Sequence, residues 1–98
     1  MTLSFSSFLA SLGAAEPPAL PAPLRALWLD AGGDWDGAHQ CVTDAEDTDG
    51  MRVHAYLHRK EGDLSNACYW YARAGVPPQD CPLEEEWRAI ASALLAQR

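Results

Sequence analysis

Two Gly-Asp corners, Gly33-Asp34 and Gly62-Asp63, stand 29 residues apart, and they constrain this chain more than any other feature. Sliding the chain by that interval lays "LRALWLDAGGDWDGAHQCVTDA" (24–45) over "VHAYLHRKEGDLSNACYWYARA" (53–74), with five of 22 positions identical. Beyond the glycine and aspartate, the matches are Ala26/Ala55, Ala38/Ala67 and Ala45/Ala74. A glycine ends a helix cheaply because it reaches left-handed backbone, and an aspartate caps the next because its carboxylate accepts from orphan N–H groups. Alanine is the residue to place where two helices come close. The pattern predicts two helix-turn-helix units of one design.

The rest of the chain divides around that pair. Ser4 to Leu12 carries Phe5, Phe8, Leu9 and Leu12 at helical spacing, so residues 1–15 read as an N-terminal helix. "EPPALPAP" (16–23) holds four prolines in eight residues and reads as an extended linker, with Pro23 suited to the first turn of the helix after it. Residues 24–78 form the two hairpins. In the second hairpin, Leu64, Ala67, Cys68, Tyr71 and Ala74 define the arc expected to face the core, and Gly75 with Pro77-Pro78 stops the helix. Residues 79–98 give a C-terminal helix with a buried stripe of Leu83, Trp87, Ile90 and Leu94, and three glutamates near its positive end. No strand pattern appears. The expected architecture is all-α, one domain over 1–98.

The chain carries 14 acidic and 7 basic side chains, a formal charge of −7. Polyphosphate and anionic membranes repel such a chain, so neither nucleic acid nor membrane is an expected partner. Seven acids and no base lie between Asp30 and Asp49, while Arg52 to Arg73 holds four bases against two acids. This asymmetry reads as two solvated faces that attract each other, or as an acidic surface for a basic partner. Cys41, Cys68 and Cys81 are odd in number and show no C-x-x-C spacing, which points to free thiols in a reducing compartment, the cytoplasm. The apolar N-terminus lacks a positive n-region and is broken by serines, so it is not expected to be a secretion signal.

His54, His58 and Glu61 share one stripe of their helix. An H-x-x-x-H pair can hold a metal ion from one face, with His39, Asp44 or Cys41 as the source of a third ligand. Glu61 lies seven residues from His54, roughly 10 Å along the axis at 1.5 Å per residue, too far for both to grip one ion. The plainer expectation is half-buried polar packing, with no cofactor. The metalloprotease pattern fails because Ala55 occupies the place of its glutamate. "DAEDTDG" fails as a calcium loop, since Ala45 and Tyr56 stand where carboxylates are needed. No nucleophile elbow or phosphate loop is present, so an enzyme is not expected. Tyr69 lies opposite the core arc of its helix, beside Arg73, and Trp70 at the arc's edge, so either a neighbouring helix of the chain covers them or they stay exposed as anchors for a partner. These residue types dominate interface hot spots, and Tyr69, Trp70 and Arg73 are the expected partner-binding residues.

Leu57, Gly62, Ala67, Tyr71, Ala74 and Pro77 resemble the tetratricopeptide hairpin, although that repeat runs about 34 residues. The resemblance covers residues 24–78 and implies a protein- or peptide-binding scaffold. The wider block "DWDGAH … HAYLHRKEGDLSNACYWYARAG … LEEEW" resembles a family of small microbial helical proteins with no assigned activity. The functional expectation is a non-enzymatic interaction module, forming a homodimer through the aromatic patch. The alternative is a small metal-dependent or acid–base enzyme using His54, His58, His39 and Glu61.

Overall fold

Gly33 and Gly62 adopt left-handed backbone at φ 89° and 92°, a region open to glycine without steric cost. Around each, the chain closes in the same way. The N–H of Gly33 donates to the Asp30 carbonyl at 3.0 Å and that of Asp34 to Leu29 at 2.9 Å. Twenty-nine residues on, Gly62 donates to Arg59 at 3.1 Å and Asp63 to His58 at 3.0 Å. These are the paired bonds of a Schellman closure. Each aspartate then caps the next helix, Asp34 accepting from the Gly37 N–H at 2.9 Å and Asp63 from Asn66 at 3.3 Å.

A computed structural model of the chain describes residues 3–97. Among them are six helices and no strand: α1 (Phe5–Ser11), α2 (Ala22–Ala31), α3 (Trp35–Val42), α4 (Thr48–Glu61), α5 (Leu64–Ala74) and α6 (Leu83–Ala96). The all-helical class is as the sequence predicts. α2 packs on α3 and α4 on α5, the most extensive helix pairings in the chain. Ala26, Ala38, Ala55 and Ala67 are all buried, at the crossings their repetition implied. Where the turn after α3 enters α4 the chain is also tight: a Cβ on Gly50 would lie 2.4 Å from that of Ala45.

The main core gathers Phe8, Leu27, Trp28, Leu57, Trp87 and Ile90 from α1, α2, α4 and α6, and Ala55, Ala67 and Tyr71 form a second cluster between α4 and α5. Indole N–H groups pin the packing: Trp28 donates to Ser11 Oγ at 3.1 Å and Trp87 to the Leu27 carbonyl at 3.0 Å. None of the described helices is long and apolar enough to cross a membrane.

Several boundaries and faces differ from expectation. α1 is shorter than 1–15, and residues 1, 2 and 98 lie outside the described residues. Asp47 caps α4 by accepting from Gly50, which sets the start of that helix at Thr48. α3 ends at Val42, and Ala45 packs from the turn beyond it. On α5, Leu64 and Cys68 are exposed instead of buried, because the helix meets α4 along the narrow stripe Ala67, Tyr71, Ala74.

The charges hold the largest correction. Asp34, Asp36, Asp44, Glu46 and Asp47 are exposed as a solvated tract should be, but Asp30 is buried. It accepts from Lys60 Nζ at 2.8 Å and from the Tyr56 hydroxyl at 3.0 Å. Glu86, one of the three glutamates near the positive end of α6, is only 1% exposed. It accepts from Arg59 at 2.7 Å and from the Tyr71 hydroxyl at 2.6 Å, while Arg59 also donates to the Cys81 carbonyl. Burial and the neighbouring carboxylates push both tyrosine hydroxyls far up, so they stay protonated donors. Buried acids need such partners, since an unpaired one is expensive.

Candidate metal centre

Four residues make slightly more than one helical turn, so His54 and His58 of α4 stand one above the other. α3 runs across them and contributes His39. The three imidazoles form a nearly equilateral cluster, with ring centroids 4.8 Å (His39–His54), 5.1 Å (His39–His58) and 4.8 Å (His54–His58) apart. One ring nitrogen from each lies within 4.8 Å of the other two.

Aromatic walls and hydrogen bonds set the rings. Trp35, one turn before His39, donates its indole N–H to the Leu57 carbonyl at 2.8 Å and stacks on His39 with centroids 5.0 Å apart. Trp70 of α5 stacks on His54 at 4.1 Å. His58 Nδ1 sits 2.6 Å from a Glu61 oxygen. A carboxylate only accepts, so Nδ1 of His58 is the donor there, and the Asn66 amide nitrogen, itself only a donor, lies 3.4 Å from Nε2, which makes that nitrogen the acceptor. Thr43 Oγ1 donates its one proton to the His39 carbonyl at 2.7 Å and lies 3.2 Å from His39 Nδ1. The ring nitrogen must then be the donor of that second contact, which leaves His39 Nε2 as a lone pair as well. His39 Nε2 and His54 Nε2 are 3.1 Å apart. His54 Nδ1 is buried with no hydrogen-bond partner.

Burial, followed by the neighbouring imidazoles, holds His54 down to about 4. Burial is also the main cause of a lowered value at His39, with His58 adding to it and Glu61 and Asp36 opposing it. Both rings are therefore neutral at pH 7, the form in which histidine binds metals. The chemistry available to this set is coordination of a borderline transition-metal cation by nitrogen.

Of the three sources open for a third ligand, the fold brings in His39. Asp44 is exposed, and Cys41 is half-buried against the main core, where burial raises its thiol. Glu61 meets His58 as a hydrogen-bond partner. A second grouping, His58, Glu61 and Asp63, is largely exposed, and its Asp63 carboxylate is engaged in capping α5.

The three residues singled out for partner binding form the outer wall of the same region. Trp70 covers His54, Tyr69 meets Trp70 edge-on at 5.2 Å, and the Arg73 guanidinium lies 4.8 Å over Trp70. Tyr69 is 56% exposed, which leaves its face open. Sequence reasoning did not connect Trp35, Thr43 and Asn66 to the histidines. The signals were present as helical spacing, Trp35 and Thr43 each lying one turn from His39. Asn66 Nδ2 lies 3.4 Å from His58 Nε2; only the fold of the hairpin could place it there.

Comparison with known protein families, with curated proteins and with solved structures finds no match to this chain.

Proposed function

We propose that this chain is a small helical metal-binding module that holds one divalent transition-metal ion, zinc first, through His39, His54 and His58. The convergence of their ring nitrogens within 4.8 Å carries the reading. Zn–N bonds of 2.0–2.1 Å in a tetrahedron put nitrogens roughly 3.3 Å apart, so side-chain adjustments are enough to close the set. Imidazole donors suit zinc, copper and nickel. The Glu61–His58 contact repeats the carboxylate–histidine arrangement that orients metal ligands, and a shared cation gives three imidazoles a reason to face one another.

Isothermal titration of the metal-free protein with Zn²⁺ tests this. One ion per chain is expected, with a raised melting temperature, since a ligand at about 100 times its Kd stabilises by about 2.7 kcal/mol. His39→Ala, at a half-buried position, should fold and lose most of the affinity. Absent stoichiometric binding, or unchanged affinity in His39→Ala, would overturn the reading.

A second reading, the non-enzymatic interaction module, is favoured by the outer face of α5. Leu64 is 62% and Tyr69 56% exposed there, with Arg73 laid over Trp70. On this reading the hairpin pair is a tetratricopeptide-like scaffold, and the Tyr69, Trp70, Arg73 surface joins a homodimer. The three free thiols support a reducing compartment such as the cytoplasm. Light scattering at micromolar concentration should give twice the chain mass, and Tyr69→Ser the single-chain mass; a monomer at all concentrations refutes the dimer.

A further inference from the structure

Three neutral imidazoles leave a divalent ion short in two respects. A tetrahedral ion lacks its fourth ligand, and its charge is uncompensated in the coordination sphere. Among the described residues, the cluster takes in no fourth His, Cys, Asp or Glu atom. Glu61, the nearest acid, already accepts from His58 Nδ1 at 2.6 Å. Closed structural zinc sites have four protein ligands, whereas three protein ligands mark sites that keep a position for an exchangeable one.

Resting on the metal reading above, we propose that the fourth position is open and takes a small anion, hydroxide or a carboxylate oxygen, with the Asn66 amide as its hydrogen-bond donor. The His58 Nε2 lone pair can serve only one partner. Asn66 Nδ2 lies 3.4 Å from it. When an ion takes that lone pair, the amide loses its acceptor while still beside the ligating nitrogen. A half-buried donor left unmatched is unfavourable, and an oxygen bound to the ion restores its bond. Trp35 and Trp70 close off His39 and His54 with apolar ring faces. The polar approach is thus from α5, past Asn66.

Cobalt(II) replaces zinc in such sites and reports its coordination in the visible spectrum. The full chain loaded with one Co²⁺, its uptake measured by dialysis and metal analysis, is titrated with acetate and with azide. The bands should shift and saturate with each. Asn66→Ala, brought to one Co²⁺ per chain at whatever free cobalt that needs, should bind acetate about fivefold more weakly, the loss of roughly one hydrogen bond. Cobalt bound at one per chain with bands indifferent to both anions would overturn the open position and leave the metal reading standing. Anion binding unchanged in Asn66→Ala would overturn the role of the amide. Failure of cobalt uptake in the wild-type chain would overturn the metal reading and this inference with it.

Discussion

Arg59→Met should strip the buried Glu86 carboxylate of its charged partner. Glu86 is 1% exposed and has two donors, Arg59 at 2.7 Å and the Tyr71 hydroxyl at 2.6 Å. Methionine keeps most of the apolar stem of Arg59 and removes the charge. The carboxylate is then buried with one neutral donor, and the Cys81 carbonyl loses its partner. Removing one member of a buried pair costs about 3–5 kcal/mol. A domain of this size has about 5–15 kcal/mol in total, so the variant should be partly unfolded at 37 °C or close to it. Urea unfolding followed by far-UV circular dichroism gives the value, provided the slope with denaturant matches the wild type. The triple variant Arg59→Met/Glu86→Leu/Tyr71→Phe removes every polar member at once and should return to within about 2 kcal/mol of wild type, because desolvating the pair offsets much of its attraction. The cost thus resides in the orphaned charge and not in a lost attraction. A single-variant loss below about 1 kcal/mol would mean the pair behaves as a solvated surface pair and would refute the reasoning.

Other outcomes follow from the same packing. Ala67→Leu should cost about 1–3 kcal/mol by overpacking the α4–α5 crossing, where Ala67 is 2% exposed; a neutral result in urea unfolding would mean the crossing is loose. Gly62→Ala should cost about 1–2 kcal/mol through its left-handed backbone at φ 92°, since a Cβ there meets nothing within 4 Å; a smaller loss would remove the backbone argument. For the metal-free protein, the folded chain holds His54 near 4 against 6.5 when unfolded. Between those values the unfolded chain binds more protons, so stability is complete above about pH 6.5 and falls as pH falls toward 4. At about 1.4 kcal/mol per unit, the loss over that window is roughly 3 kcal/mol. The slope of unfolding free energy against pH should flatten in His54→Phe, which also removes its interactions with His39 and His58; an unchanged slope would refute the assignment.

The hairpins were legible because their corners are local. Gly33, Gly62, Asp34 and Asp63 need only their own neighbours to close and cap a helix, and the alanine matches at 26/55 and 38/67 report close approach through size alone. The stripe of His54 and His58 was legible for the same reason. Tertiary partners were not. Nothing in the sequence picks His39 over Asp44 or Cys41, because all three lie on one short stretch of chain and only the packing of α3 on α4 decides which side chain meets His54 and His58. Asp30 opens a run of acids that reads as a solvated face, and Glu86 closes a run of three that reads as a favourable helix-end charge; their partners are 30 and 27 residues away.

α4 explains why periodicity misled on charge. From Gly50 to His58, all but Arg52 are buried, so the helix has no continuous solvent face against which an apolar stripe could be recognised. At about 100° per residue, His54, His58 and Glu61 point one way and Tyr56, Arg59 and Lys60 roughly the opposite way. The first set meets α3 and α5, and the second meets Asp30 of α2 and Glu86 of α6. Val53 and Leu57 lie between them on one side, toward the main core, and Ala55 on the other, against α5. A polar residue on a surface helix is ordinarily assigned to water, but on a central helix it must be assigned to a neighbour. Each of these polar residues of α4 (His54, Tyr56, His58, Arg59, Lys60 and Glu61) therefore marks a specific contact. The width of the helix thus separates the histidine cluster from the ion pairs that join α4 to α2 and α6.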